Sequence, residues 1–146
     1  MKIASQAIIL LSLLGLLTAP FAHAKDDDEK IYGEWLYEAT QMTDGVPQSQ
    51  LSLTLRHSEG KLVGQYCYIS NYGRRIDCPD DDEINVQGAV NQDNESATIH
   101  IDSTFQRGDA RAVVRVVDNR LRFVIDQKSS MTLYSGPRDI TLIRKH

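Results

Sequence analysis

Cysteine, histidine and tryptophan are scarce in this chain, and their scarcity argues against several kinds of chemistry. The sequence contains two Cys, four His and one Trp among 146 residues. The histidines lack the spacing of a helical zinc site, and the usual serine and glycine motifs of nucleophilic catalysis and phosphate binding are missing. We therefore expect a protein that is not an enzyme and that binds no metal or cofactor.

Basic residues are also too few for a nucleic-acid-binding protein. The chain has 16 Lys and Arg against 20 Asp and Glu, a net charge of −4. Nucleic-acid binding needs a dense basic surface, so no such partner is expected. Acidic groups predominate in residues 25–95 and basic groups in residues 96–146. If these parts form opposite sides of one body, the molecule is electrically polar.

The longest apolar run lies at the amino terminus. Lys2 precedes an apolar run over residues 3–17 that is broken by few polar residues, and Pro20 and the small-residue triplet Ala22-His23-Ala24 follow. This order is typical of a cleaved secretory signal peptide, and the run is too short for a membrane span. We predict a periplasmic or secreted protein without a membrane span after cleavage. Its parts are a signal peptide (1–24), an acidic flexible leader (25–31) and one domain (32–146).

After residue 30, no segment shows the apolar spacing of an amphipathic helix. Alternation dominates instead, as in Gln50–His57, where leucines alternate with polar residues. Short turns between such segments favour sequential antiparallel pairing, and closure would remove the free edges. We predict an all-β fold, an eight-stranded up-and-down barrel, with a β-sandwich as the alternative. The predicted strands are about 32–41, 50–57, 61–69, 84–91, 96–104, 110–117, 120–127 and 139–145.

Two hairpins can be predicted residue by residue. A two-residue turn at 118–119 pairs Val114 with Phe123, and one at 59–60 pairs Leu53 with Tyr66. Alternation then turns Cys67 outward. The first hairpin directs these side chains inward: Ala112, Val114, Val116, Leu121, Phe123 and Ile125. It also places Arg115 opposite Arg122, which destabilises the pair unless an anion or an acidic side chain compensates.

The opening Gly33-Glu34-Trp35 and the later Gly64-x-Tyr66, with the strand count, resemble small secreted calycin-like barrels of the lipocalin and avidin type. Those families place a Gly-x-Trp near the first strand, where the Trp plugs one barrel end. The resemblance implies an eight-stranded barrel. It also implies an alternative function, the binding of a small ligand inside the barrel. The lining residues would be Trp35, Tyr37, Leu53, Tyr66, Val114 and Phe123.

The two cysteines, Cys67 and Cys78, predict a structural disulfide in an oxidising compartment. The bridge would restrain residues 68–77 on the outside of the barrel wall. Tyrosine, asparagine and arginine side chains of this loop are typical of recognition sites, and restraint reduces the entropy lost on binding. We predict partner contacts from Tyr68, Asn71, Tyr72, Arg74 and Arg75.

A second exposed turn supplies further candidate contacts, namely Tyr134, Ser135 and Arg138. The acidic run Asp80-Asp81-Asp82-Glu83 lacks the ligand spacing of a calcium loop. It is interpreted as a solvated loop, with cation binding left open.

The leading hypothesis is an exported binding protein whose partner is another envelope or secreted protein. Such a protein could be an inhibitor or immunity protein, with the restrained loop occluding the acidic cleft of a cell-wall hydrolase or toxin. The alternative is the small-ligand carrier, which requires an empty cavity of several hundred Å³.

Overall fold

The computed structural model describes residues 30–103, 108–126 and 136–146, and in these residues it contains strands and turns but no helix. The all-β prediction is confirmed. The strands are β1 (Gly33–Glu38), β2 (Met42–Thr43), β3 (Val46–Pro47), β4 (Ser49–Ser58), β5 (Lys61–Ser70), β6 (Arg75–Asp77), β7 (Val86–Val90), β8 (Ser96–Ser103), β9 (Gly108–Val117), β10 (Arg120–Ile125) and β11 (Asp139–Arg144).

Nine strands form one antiparallel sheet in the order β4-β1-β11-β10-β9-β8-β7-β5-β6. A further pairing of β4 with β5 closes this sheet. Eight strands therefore make a closed barrel, and β6 is an extra strand beside β5. The predicted up-and-down barrel is correct. β2 and β3 form a separate two-stranded ribbon.

Two-residue turns fix the register of the two hairpins that the sequence predicts. Asp118 and Asn119 have φ of 50° and 59°, and Glu59 and Gly60 have φ of 50° and 77°. Positive φ at both central positions defines the turn type that matches the twist of antiparallel strands. Both predicted registers are confirmed, since Val114 lies opposite Phe123 and Leu53 opposite Tyr66.

Every second side chain of the barrel strands points inward, and most of these side chains are buried. This alternation explains why leucine, isoleucine and valine recur at a spacing of two in the sequence. The largest fully buried side chains are Trp35, Tyr66, Phe123, Ile31, Leu51, Leu53, Leu55, Leu62, Ile99, Ile101, Leu121 and Leu142. Gly64 lets β5 pack closely against β4, because a Cβ at this position would clash with the backbone carbonyl oxygen of Thr54.

One end of the barrel, here named the capped end, is closed by Trp35. Its side chain is 1% exposed, and its indole Nε1 donates a hydrogen bond to the Ile31 carbonyl at 2.9 Å. The Arg144 guanidinium lies over the indole ring, 4.2 Å from the ring centroid, and donates to the Tyr32 carbonyl at 2.6 Å. The short turns at 59–60 and 118–119 lie at the same end.

The opposite end, here named the hairpin end, carries residues 39–48 and the turn 71–74. Strand direction also places residues 136–138, which precede β11, at this end. The barrel wall divides into two contiguous halves, β1-β4-β5-β7 and β8-β9-β10-β11. The halves correspond to the acidic and basic parts of the sequence, so the condition for an electrically polar molecule is met.

Residues 1–29, which include the predicted signal peptide and most of the predicted leader, lie outside the described residues. The last two residues of that leader contact the barrel. Ile31 is buried in the core, and the Lys30 Nζ lies 2.6 Å from a carboxylate oxygen of Glu95.

Candidate functional site

The cysteines form the predicted disulfide, and the residues between them form a hairpin. β5 continues to Ser70 and pairs with β6, so that Tyr68 lies opposite Asp77 and Ser70 opposite Arg75. The Cα atoms of Cys67 and Cys78 are 4.1 Å apart, one position beyond this ladder. Residues 67–78 are therefore called the disulfide hairpin. The sequence predicts a loop here because the three-residue strand β6 is too short to show alternation.

Backbone conformation fixes the tip of the disulfide hairpin. Asn71, Tyr72 and Gly73 have φ of 51°, 55° and 83°, and the Arg74 amide donates to the Asn71 carbonyl at 3.2 Å. Glycine adopts such angles freely, asparagine tolerates them, and tyrosine adopts them at an energetic cost. The tip is thus a tight turn with a defined backbone conformation.

Two contacts outside the disulfide hairpin hold it on the barrel. The Tyr72 amide donates to the Gln48 carbonyl at 3.2 Å. At the base, the buried Asp77 carboxylate accepts a hydrogen bond from the Ser103 hydroxyl at 2.7 Å. The hairpin is therefore anchored at its tip, at its base and through the disulfide, which limits the entropy that it would lose on binding a partner.

The predicted contact residues of the hairpin differ in accessibility. Asn71 and Arg74 are exposed, whereas Tyr72 and Arg75 are half-buried. Tyr68 is half-buried and packs against the core cluster of the barrel. Arg74 forms no ion pair among the described residues, so its charge is available to a partner.

The second predicted loop is only partly described. Tyr134 and Ser135 lie outside the described residues. Arg138 is exposed, and its carbonyl accepts a hydrogen bond from the Ile125 amide at 2.8 Å. It shares the hairpin end with the disulfide hairpin, but β1 and β4 separate β11 from β5. Arg138 and Arg74 therefore belong to different sides of that end.

Five of the six side chains predicted to line a ligand pocket belong to the buried core, and the sixth, Tyr37, is partly buried and packs against it. Tyr66 on β5 and Phe123 on β10 are both 0% exposed, and their ring centroids are 6.4 Å apart. β5 and β10 lie on opposite sides of the barrel, four strands apart in either direction. Two rings in contact across this diameter occupy the space that an enclosed ligand would need.

The acidic run lies on the outer wall beside the disulfide. The Glu83 amide donates to the Asp80 carbonyl at 3.1 Å, and the Gln65 side chain donates to the Glu83 carbonyl at 3.0 Å, so the run forms a docked turn. A surface groove of about 570 Å³ separates this turn from the wall. Its lining is Ser52, Thr54, Gln65, Cys67, Cys78, Pro79, Asp80, Asp81 and Asp82. No cluster of three metal-ligating side chains occurs in the part of the chain that the structure describes.

Two arginines on the outer face of β9 and β10, Arg115 and Arg122, have acidic neighbours. Arg115 lies 3.0 Å from the Asp93 carboxylate, and Arg122 contacts Asp139 through two hydrogen bonds of 2.8 and 3.1 Å. The hydrogen bond from Arg122 lowers the pKa of Asp139, and the same contact raises the pKa of Arg122. These carboxylates supply the compensation that the pairing of Arg115 with Arg122 requires.

Asp93 has a further role in the loop between β7 and β8. Its carboxylate accepts hydrogen bonds from the Ser96 hydroxyl at 2.9 Å and from the Ser96 amide at 3.0 Å. The hydrogen bond from the hydroxyl is the main cause of the lowered pKa of Asp93. Both carboxylates stabilise the fold in their charged form.

One element of the hairpin end is missing from the sequence predictions. Residues 41–48, here named the ribbon, form the β2–β3 hairpin around Asp44 and Gly45, which have φ of 51° and 76°. The Gln48 amide donates to the Gln41 carbonyl at 2.8 Å and closes the ribbon at its base. The Asp-Gly pair is a strong hairpin signal, but strands of two residues give no alternation to detect.

Comparisons of the chain with protein-family models, with curated proteins and with solved structures find no match. Among the described residues, no helix has the length and apolar character needed to cross a bilayer.

Proposed function

We propose that this protein is an exported, non-enzymatic binding protein that inhibits a cell-envelope hydrolase by inserting its disulfide hairpin into the substrate cleft. The observation that carries the proposal is the anchored tip, where an exposed arginine projects from a backbone held by the disulfide, by β6 and by Gln48. Rigid presentation of a charged side chain is how a small surface gains affinity.

The chemistry of a glycan-cleaving site fits this tip. Glycoside hydrolases hold two carboxyl groups on either side of the bond that they cleave. The Arg74 guanidinium can form a charge-assisted, bidentate hydrogen bond with such a carboxylate. Tyr72, half-buried beside Arg74, would contribute apolar contact area. Occupation of the cleft by these groups excludes the substrate, and no covalent step is required.

The filled interior favours this function over the small-ligand carrier. The contact between Tyr66 and Phe123 joins opposite sides of the barrel and reduces the space available to an enclosed ligand. We propose that the calycin-like resemblance concerns architecture alone. The burial of Trp35 at the capped end supports this, because those families place a Trp at a barrel end.

The test uses purified muramidases, with lysozyme as the reference because its cleft carries two catalytic carboxyl groups. The mature protein is expected to inhibit lysis of a cell-wall suspension and to bind the enzyme in calorimetry. The double variant Arg74→Ala/Arg75→Ala should bind on the order of 10- to 100-fold more weakly. Arg120→Ala is the control, because Arg120 is exposed on the outer wall without an ion pair among the described residues.

Two outcomes contradict the proposal. One is the absence of binding to every muramidase tested. The other is wild-type affinity in the double variant while its melting temperature is unchanged, which would remove the disulfide hairpin from the interface.

Export is tested separately. The protein expressed with its full amino terminus should be recovered from the periplasm or medium with Lys25 as its first residue. Retention of Met1 on the exported protein would contradict cleavage after Ala24.

A further inference from the structure

The ribbon and the disulfide hairpin project side by side at the hairpin end. The ribbon continues the β1–β4 pair, since the Ala39 amide donates to the Ser49 carbonyl at 2.8 Å. The hydrogen bond from the Tyr72 amide to the Gln48 carbonyl connects the base of the ribbon to the tip of the neighbouring hairpin. The two arms are therefore neighbours that a single partner surface can contact together.

Exposed apolar side chains occur on both arms. Met42 and Val46 of the ribbon are 52% and 42% exposed, and Ile76 on β6 is 56% exposed. Met42 and Val46 lie on a short ribbon outside the barrel, so the core does not bury their side chains. Other exposed large apolar side chains lie elsewhere on the described surface, namely Ile84, Val113, Val117 and Ile143.

The size of a stable interface also requires more than the turn 71–74. Specific protein complexes bury about 800 Å² on each partner, from roughly 20–30 residues a side. The four residues of this turn cannot supply that area alone. The ribbon, linked to the turn by the hydrogen bond from Tyr72 to Gln48, is the neighbouring segment that adds exposed apolar surface. Apolar contact around a charged anchor is typical of tight interfaces.

We infer that the ribbon is the second half of the binding surface, and that the partner is a hydrolase whose carboxylate-bearing cleft is bordered by an exposed apolar surface. This inference rests on the proposed function. Arg74 contacts the carboxylates, while the ribbon packs on the border of the cleft and excludes water from the ion pair. Met42 pairs with Pro47 and Val46 with Thr43, so the two apolar side chains lie on opposite faces of the ribbon, and one of these faces makes the contact. The apolar contact determines which hydrolases bind, because any glycan-cleaving enzyme offers carboxylates.

The experiment measures Kd for lysozyme, or for the muramidase that binds most tightly, by calorimetry with four variants of the mature protein. Met42→Gln/Val46→Thr removes apolar contact from the ribbon while keeping side-chain size. A second variant replaces residues 42–47 with an Asn-Gly turn, which the hydrogen bond between Gln48 and Gln41 is placed to close. Val117→Thr/Ile143→Thr is the matched control on the outer wall, and Arg74→Ala reports on the disulfide hairpin.

Both ribbon variants are expected to raise Kd on the order of tenfold or more, with the outer-wall control within about twofold of wild type. Melting temperatures should stay close to wild type, because the ribbon lies outside the core. If Arg74→Ala weakens binding and the ribbon variants match the control, this inference is wrong and the proposed function stands. If the ribbon variants lose affinity and Arg74→Ala does not, the joint surface is wrong. If the wild type binds no muramidase, the proposed function fails, and this inference with it.

Discussion

Asn85 shows how one side chain can replace part of a strand. β7 begins at Val86, so β5 has no backbone partner from β7 at Tyr66. The Asn85 side chain accepts from the Tyr66 amide at 2.7 Å and donates to the Tyr66 carbonyl at 2.9 Å. The backbone carbonyl of Asn85 accepts a hydrogen bond from the Asp102 amide at 2.8 Å. Asn85 thereby continues the wall between β5 and β8.

Replacing Asn85 with Ala should destabilise the protein by about 2–3 kcal/mol, because two buried backbone groups of Tyr66 lose their partners. Urea denaturation measures the change. Asn85→Asp, which keeps the acceptor but loses the donor, should fall between Asn85→Ala and wild type. Gln87→Ala, at an exposed amide two positions away, is the control and should change stability by less than about 0.5 kcal/mol. Equal stability of Asn85→Ala and Gln87→Ala would contradict this role.

Asp139 makes the stability of the protein depend on pH in the acid range. Its pKa in the folded state is lowered by the hydrogen bond from Arg122, relative to an ordinary value of 3.8. A group with a lowered folded pKa stabilises the fold above its ordinary pKa, and this contribution is lost as the pH falls through the folded value. The loss should therefore occur below pH 3.8.

Urea midpoints measured from neutral pH to below pH 3.8 test this dependence. Asp139→Asn should be less stable than wild type at neutral pH and should lose less stability on acidification. Asp102→Asn, an exposed carboxylate without an ion pair among the described residues, should keep the wild-type pH dependence. An unchanged pH dependence in Asp139→Asn would show that the contact with Arg122 does not contribute.

At the scale of elements, the disulfide hairpin has two independent restraints, the covalent bridge and the β5–β6 ladder. Cys67→Ala/Cys78→Ala should lower the free energy of unfolding by about 3 kcal/mol, the value expected from closure of a loop of this length. The barrel should still fold, because its core lies in the eight closed strands. Thermal unfolding measures the loss of stability, and proteolysis at the 71–74 tip measures the loss of restraint on the disulfide hairpin.

A reductant provides the control for this variant. It should destabilise the wild type by a similar amount and leave the double variant unchanged. A reductant effect on the double variant, or none on the wild type, would contradict a stabilising disulfide.

Some elements could be predicted from the sequence because their signals are local. Asp118-Asn119 and Glu59-Gly60 each specify a two-residue turn, and the alternating residues on either side then determine every pair in the ladder. The disulfide follows from two cysteines in a chain with a predicted signal peptide. The inward face of β9 and β10 follows from the same alternation.

Other elements could not be predicted, because they depend on distant parts of the chain. β6 exists because β5 continues beyond β7 and offers a free edge to Arg75–Asp77. The ribbon lies beside the disulfide hairpin through a backbone hydrogen bond between Tyr72 and Gln48, which no side-chain pattern encodes. The part of the candidate site that β6 and the ribbon form therefore could not be predicted from the sequence.

At the scale of the whole molecule, the buried core and the proposed binding surface lie in different parts of the barrel. Phe123 and Tyr66 stabilise the barrel by contact across its diameter, whereas the candidate contacts lie at the hairpin end. Phe123→Ala should destabilise the protein by about 3–5 kcal/mol, because it leaves a cavity in a packed core. If it stays folded, its Kd for a muramidase should equal that of wild type.

Val124→Ala, on the outward face of the same strand, is the control for packing and should have a much smaller effect on stability. A small effect of Phe123→Ala on stability, together with uptake of an apolar ligand by the wild-type protein, would contradict the filled interior. Chemical denaturation and fluorescence of an added apolar dye measure the two properties.

Hydrogen–deuterium exchange of the complex with a muramidase locates the interface on the chain. Binding should slow exchange at residues 41–48 and 71–75 and leave the turns at 59–60 and 118–119 unchanged. Slowed exchange confined to the capped end or to the outer wall would contradict an interface at the hairpin end, as would an unchanged exchange rate throughout that end.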